Sequence, residues 1–460
     1  SKRIEVAEAG IMNTQSAATG ITARIMRSSG FTILSFGLQQ AIRFGSNLIL
    51  ARLLFPEAFG TMALVTVLLV GLSMLSDLGI GPAIQSSKRG DDPDFLNTAW
   101  TLNMVRSGVL FLIACGLALP MAWFYAEPQL ATLIPVAAIS LLILALEPTR
   151  AETASRHMML GRVTLLELSA QIISVILMLA LAWVTQSIWA LVAGNLFSAV
   201  ARTALAWVML PGIVNRLHLD RSSAQELVSY GRWIFFSTVA GFLVLQSDKL
   251  ILGHYLTMEE LGLYNIGFFL AGFPLMLGQQ LVQRLMIPLY RASPPSESRA
   301  NFLRLRRIRF MLSGFLLVAV TPLAFGGIWV VDLLYDARYA TSGAVTMIVC
   351  VALMPQMLGL TYDQVALASG DSRGFFTLNA TRAVILVTLL LLLVPKFGLP
   401  GAPLALVSTT LLSYPLQLQL ARKHGAWDAL HDAVMYGLAA VIAALVLGIF
   451  HYELAAVFLR

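Results

Sequence analysis

The chain has 460 residues, 58% of them hydrophobic and only 12% charged, and its formal net charge is +7. A soluble domain carries about 25% charged residues, so the composition excludes an ordinary soluble enzyme. A mean hydropathy of +0.79, with span-length apolar runs along nearly the whole chain, indicates a polytopic α-helical membrane protein, and the short alternating segments of a membrane β-barrel are absent from the sequence.

Residues 1–30 are polar and mixed, lack the apolar core of a cleavable signal, and read as a cytoplasmic tail ending at Ser28-Ser29-Gly30. The first span covers 31–51. Within it Thr32, Ser35, Gln39, Arg43 and Ser46 are spaced 3, 4, 4 and 3 residues apart, which places them on one helix face. Arg43 sits near mid-depth, too deep to reach either surface easily. Spans 2 to 4 cover 58–80, 98–122 and 130–147, with Asp77 and Arg106 toward the cytoplasmic ends of the second and third. Span 5 (163–184) carries Thr164, Glu167, Gln171 and Ser174 on one face, and span 6 (188–210) carries Arg202.

Span 7 (232–252) has the adjacent pair Asp248-Lys249 near its outer end, and span 8 (262–289) has Gln279, Gln283 and Arg284 in its cytoplasmic half. Spans 9 to 13 cover 309–331, 340–367, 374–394, 400–420 and 430–452. Asp363 closes the tenth, where interfacial solvation accounts for it, and Arg382 lies in the eleventh. The last stretch, ELAAVFLR, is too short to cross and is read as the start of a fourteenth helix. Cys115 and Cys350 fall inside spans, with no metal-ligand spacing and no disulfide framework, and are expected to be small buried residues.

Counted over loops and span edges, one side holds 21 Lys and Arg, and the other holds Arg52, Arg338 and Lys396. The positive-inside rule makes the first side, with the N-terminus, cytoplasmic. The net charge is therefore mostly topology. The RLRRIRF cluster at 304–310 faces anionic lipid headgroups rather than nucleic acid. The outer loops at 185–187 and 395–399 are hardly more than turns, too short to hold the catalytic groups of a periplasmic polymerase or ligase. There is no GxxxxGK[ST] loop, no HExxH and no evident triad or carboxylate pair, so neither an enzyme nor a bound cofactor or metal is expected.

Charge inside a bilayer is costly and marks cavities or partners. Read from spacing alone, Arg43, Arg202, Arg284 and Arg382 stand unpaired against Glu167 and make the interior positive. Guanidinium grips phosphate bidentately, so the expected substrate is an anion or carries phosphate. Gln39 and Gln283 join the arginines as candidate substrate contacts. Asp77, Glu167, Asp248 and Lys249 are candidates for ion coupling or gating.

LILARLLFPEAFG (48–60) and LILGHYLTMEELG (250–262) agree at six of thirteen positions, 202 residues apart, including Glu57/Glu259 and Gly60/Gly262. Both cover an outer turn between two spans, six helices apart. An even separation preserves direction, so the halves read as parallel repeats about an axis along the membrane normal. The expected organisation is a 1–30 tail, an N-lobe at 31–210, a cytoplasmic linker at 211–231, a C-lobe at 232–420 and an additional helix at 421–460.

RFGSNLILARLLFPEAFGTMALV, then LSDLGIGPAIQ, NTAWTLNMVRSG and LQSDKLILGHYLTMEELGLYNIGFFLAGFP, resemble polysaccharide-exporter proteins of the multidrug/oligosaccharidyl-lipid/polysaccharide superfamily over about residues 31–420. That branch includes Wzx-type flippases. The resemblance implies two six-helix lobes forming a V around a central cavity. It also implies transport of undecaprenyl-pyrophosphate-linked oligosaccharide across the bacterial inner membrane by alternating access, driven by an ion gradient. Partners implied are that lipid-linked oligosaccharide, membrane lipids, and the polymerase and chain-length proteins of the same pathway. Flippases of this type mostly have 12 or 14 helices, so thirteen is a departure confined to the C-terminal end. Lipid II flippases share the implied fold and rank second. A multidrug/cation antiporter would favour an acidic interior, and a non-transporting scaffold would tolerate loss of the intramembrane arginines.

Overall fold

The computed structural model describes residues 35–76, 79–157 and 159–458, and all regular structure among them is helical. In chain order the helices are α1 (35–53), α2 (Pro56–Leu75), α3 (Ile80–Ser86), α4 (Pro93–Phe124), α5 (Leu130–Ala145), α6 (Arg150–Arg156), α7 (Leu160–Thr185) and α8 (Trp189–Met209). There follow α9 (Arg221–Tyr255), α10 (Met258–Ala292), α11 (Arg299–Leu334), a 3₁₀ turn at Ala337–Tyr339, α12 (Ala340–Ala368), α13 (Ser372–Phe397), α14 (Gly401–Lys423), α15 (Ala429–Ile449) and α16 (His451–Phe458).

A helix stands at each of the thirteen expected spans. Among the described residues nine are long and apolar enough to cross a membrane, or ten if α5 and α6, bent by 57°, form one broken span. Two helices start well before the expected spans: α9 begins at 221 rather than 232, and α11 at 299 rather than 309. Bilayer thickness limits the apolar run, not the helix. A polar extension satisfies its own backbone and continues into water. The short α3 and α6 are outside the expected pattern, and α16, where a fourteenth helix was expected to begin, has eight residues.

The chain forms two compact units. Among the described residues the first comprises those within 35–50, 79–112 and 136–230, and the second those within 51–76, 113–135 and 231–458.

In the first unit α7 packs along α8, and α3 against α6. Basic residues counted above as topology markers close helix ends here. Arg156 Nη1 donates to the Ile84, Gln85 and Ser87 carbonyls (3.0, 3.0 and 2.8 Å) at the end of α3. Arg150 does the same for Trp207 and Leu210 (2.7 and 3.2 Å) at the end of α8. Terminal carbonyls lack intrahelical donors, and an arginine fork supplies several at once. The connection after α8 is tied to α4, with the Arg216, His218 and Asp220 N–H groups donating to Asn97, Thr101 and Thr98 side chains (2.9, 3.0 and 2.9 Å).

The second unit is built around α12, which packs on α10, α11 and α14 and is buried along most of its length. A helix apolar all round belongs in an interior. Its hydroxyls are satisfied by backbone carbonyls: Ser342 Oγ donates to Leu263 O of α10 at 2.9 Å and Thr346 Oγ1 to Ser342 O of its own helix at 2.7 Å.

The repeated glycines meet. α2 packs on α10 in the second unit. A Cβ at Gly60 would stand 3.0 Å from Gly262 N, and one at Gly262 would stand 3.2 Å from Gly60 N. The two 202-offset positions therefore form one helix crossing. The helix starts differ. α2 begins with Pro56, whose missing N–H costs nothing in the first turn. α10 begins with a capping box, where Thr257 accepts from Glu260 N (3.2 Å) and Glu260 accepts from Thr257 N (2.9 Å). Thr257→Ala is expected to lower stability by about 1 kcal/mol, read as a fall in the melting temperature of purified protein. An unchanged melt would show that the cap is redundant.

Candidate functional site

In the first unit the polar faces of α1 and α7, picked out separately by spacing, pack on each other. Gln171 Nε2 donates to Gln39 O at 2.9 Å, and Gln39 Nε2 lies 3.5 Å from Glu167 Oε2. Ser35, Ser46, Thr164 and Ser174 of the same faces are buried, and Ser46 Oγ donates to Arg43 O at 3.0 Å. Thr32 lies outside the described residues. The amides of these faces and the Glu167 carboxylate thus find partners in one another and in the backbone, which apolar lipid tails could not supply.

Arg202 of α8 departs from expectation. Its Nε lies 3.1 and 3.0 Å from the two oxygens of Glu147, just past α5. Arg382 of α13 departs in the same way, as its Nη1 and Nη2 grip Asp363 Oδ2 and Oδ1 at 3.0 and 2.9 Å. The reading of both arginines as unpaired is thus corrected, and with it the reading of Asp363 as merely solvated at an interface. The Asp363 side chain is only 13% exposed. Gln417 of α14 holds the same carboxylate, its Nε2 donating to Asp363 Oδ1 (2.7 Å) and to Gly359 O (2.8 Å).

These counter-ions were hard to foresee because they come from other parts of the chain, Glu147 from the turn after α5 and Asp363 from α12. The available signal was an acid directly abutting a long apolar run, as in LALEP at 144–148, which ordinarily requires a partner. Gln283 is exposed on α10, and Arg284 follows it on the same helix.

Asp248 on α9 is buried and accepts from Tyr264 Oη at 2.9 Å, while Lys249 Nζ turns to Gln246 Oε1 at 3.2 Å. The two adjacent charges therefore have separate partners. Asp77 lies outside the described residues, and Arg106 lies on α4. Among the described residues no group of three or more His, Cys, Asp or Glu side chains is placed to hold a metal ion.

Residues 49–342 match the profile of a family described as "Polysaccharide biosynthesis protein". The chain is 22% identical over 272 residues to the succinoglycan biosynthesis transport protein ExoT of Rhizobium meliloti, covering 58% of this chain and 53% of that protein. It is 25% identical over 305 residues to the amylovoran biosynthesis protein AmsL of Erwinia amylovora, covering 64% of this chain and 76% of that protein. The match thus spans only about half the length of the first of these relatives. Among solved structures, the lipid II flippase MurJ in an inward closed conformation superposes with a TM-score of 0.66 at 11% identity, covering 92% of this chain and 99% of that chain. An inward-facing multidrug resistance MATE family transporter of the MOP superfamily superposes with a TM-score of 0.65 at 13% identity, covering 84% and 94%. At such identities the likeness is one of fold, and the fold is that of the superfamily the sequence motifs resemble.

Proposed function

Because the chain belongs to the polysaccharide biosynthesis protein family, we propose that it is a Wzx-type flippase. In this reading it moves an oligosaccharide linked to undecaprenyl pyrophosphate across the bacterial inner membrane by alternating access, with its N-terminus in the cytoplasm. The observation that supports the reading is the recurrence of arginine on helices of this fold: Arg43 on α1, Arg202 on α8, Arg284 on α10 and Arg382 on α13. Guanidinium grips phosphate bidentately, which makes the carrier's diphosphate a fitting ligand, taken in exchange for Glu147 at Arg202 and for Asp363 at Arg382.

In this mechanism the arginines neutralise the diphosphate while the polyprenyl tail stays in lipid. The amide and hydroxyl faces of α1 and α7 bond sugar without strong selectivity, and helices 1–6 and 7–12 of the repeat act as the two moving lobes. Glu167 and Asp248 are the candidates for coupling to an ion gradient. The polymerase and chain-length proteins of the pathway are the proposed partners.

Arg43→Ala is expected to abolish polymer export in a complementation assay, with unchanged protein level by membrane immunoblot. Leaflet-resolved transport of a labelled lipid-linked oligosaccharide in proteoliposomes should fall in parallel. Normal export by that variant would remove the role assigned to the intramembrane arginines, and would favour a scaffold that does not transport.

A further inference from the structure

We propose that Asp363 is a built-in competitor for the phosphate-binding group of Arg382, a carboxylate that the substrate's diphosphate must displace. The inference rests on the reading of Arg382 as a phosphate contact. Its geometric basis lies wholly within the second unit, in α12, α13 and α14.

The Asp363–Arg382 contact is an end-on fork, one bond from each Nη to each carboxylate oxygen (3.0 and 2.9 Å). That is the geometry with which guanidinium also grips phosphate. With the carboxylate in place the site is neutral. The side chains are 14% and 13% exposed, shielded from water but not sealed from a ligand. A shielded pair of this kind is poor value as a stabiliser, since desolvation offsets most of the attraction and apolar packing commonly does as well.

The third helix shows which partner is fixed. Gln417 bridges Asp363 Oδ1 and Gly359 O through Nε2, at 2.7 and 2.8 Å. Its own Oε1 is buried with no hydrogen-bond partner. An orphaned acceptor is costly, so this amide is oriented for the carboxylate at its own expense. A Cβ at Gly359 would lie 2.9 Å from Gln417 Nε2, so the glycine provides the space the amide occupies. Asp363 is therefore held by Gln417, which is itself tied to the α12 backbone at Gly359. Arg382, on a long stem of rotatable bonds, is the partner able to leave.

The competition has a use. An open guanidinium would hold a diphosphate tightly throughout the cycle. An anchored carboxylate alongside lets the arginine accept a multiply charged phosphate, yet reclaims it when the ligand is released. It also rejects weaker anions, because a ligand with a single carboxylate merely matches what Asp363 already supplies. In the first unit Arg202 also has a resident carboxylate, Glu147, though it is held through Nε alone and the arginine is more exposed.

The test measures binding of farnesyl diphosphate to the purified full chain in detergent, for wild type, Asp363→Asn, Gln417→Met and Arg382→Ala. Asp363→Asn keeps the shape and removes the competing charge, and is expected to bind about tenfold tighter than wild type, equivalent to roughly 1.4 kcal/mol. It should also turn over lipid-linked oligosaccharide more slowly, since release is impaired. Gln417→Met frees the carboxylate without removing it and should tighten binding in the same direction by a smaller factor. It keeps the test open if Asp363→Asn does not fold. Arg382→Ala should lose most of the affinity. Equal or weaker binding by the folded Asp363 and Gln417 variants, with Arg382→Ala still defective, would overturn the competitor while leaving the arginine contact intact. Undiminished binding by Arg382→Ala would instead overturn the phosphate-contact reading, and the competitor with it.

Discussion

Gly60→Val and Gly262→Val are each expected to lower the melting temperature of the purified protein sharply and to reduce its yield in membranes. A Cβ at Gly60 would lie 2.0 Å from Met258 O, and one at Gly262 would lie 1.8 Å from Pro56 O. The obstructing atoms are backbone on the facing helix, not the end of a flexible side chain, so relief requires α2 and α10 to separate. Overpacking costs about 1–3 kcal/mol and occasionally more, and here separation also forfeits the close backbone approach on which helix association in lipid relies. The effect should lie at or above the top of that range. Gly108→Ala is the control, since nothing lies within 4 Å of its would-be Cβ. There alanine should be neutral, or stabilise α4 by up to about 1 kcal/mol through helix propensity. Equal melting of the Gly60 and Gly108 variants would show that the α2–α10 crossing is looser than described.

Asp432→Ala is expected to produce the second large loss, about 3–5 kcal/mol, detaching α15 from the rest of its unit. The Asp432 carboxylate accepts from Tyr362 Oη (2.7 Å), Tyr414 Oη (2.6 Å) and Trp427 Nε1 (3.0 Å), and His431 Nδ1 lies 3.0 Å away. Removing it strands several mostly buried donors at once, and each unsatisfied group costs about 1–3 kcal/mol.

The network continues inward. His431 Nε2 meets Ser313 Oγ at 2.9 Å. Arg309, 1% exposed, donates to Tyr290 Oη at 2.8 Å and stacks 4.3 Å over the Tyr362 ring. Asp428 caps the start of α15. Burial raises its carboxyl, but the two bonds from Arg306 (2.6 and 2.8 Å) and the His431 N–H outweigh that and hold it below its ordinary range. Limited proteolysis should cut the 424–428 connection of Asp432→Ala far faster than that of wild type. Wild-type melting and cleavage would mean that apolar contacts alone seat α15.

Arg309 shows how such a feature escapes a reading by pattern. In RLRRIRF it is one of four arginines and looks like its neighbours, which suits a headgroup contact. The 1% exposure of Arg309 is a consequence of α12 and α15 packing over that face of α11. Neither helix is near it in sequence, so no local signal distinguishes it from Arg304 or Arg307.

The polar faces of α1 and α7 lie at the other extreme. Helical spacing identified Gln39, Glu167 and Gln171 separately, and they meet, because a polar stripe in an apolar helix has few places to go except against another. The repeat was legible too, down to the glycines. What the repeat means physically, a single crossing point of α2 and α10, needed the fold.

By itself, then, the sequence determined where the helices are, their order and their polar faces. The bilayer imposes those constraints locally: a span needs about 20 apolar residues, and every backbone group must be satisfied within the segment. Only the tertiary structure decided which charges have counter-ions beside them. Arg202 and Arg382 read identically to an unpaired arginine until Glu147 and Asp363 are brought beside them from elsewhere in the chain. Charge compensation depends on distances of about 3 Å between side chains that spacing along one helix does not relate.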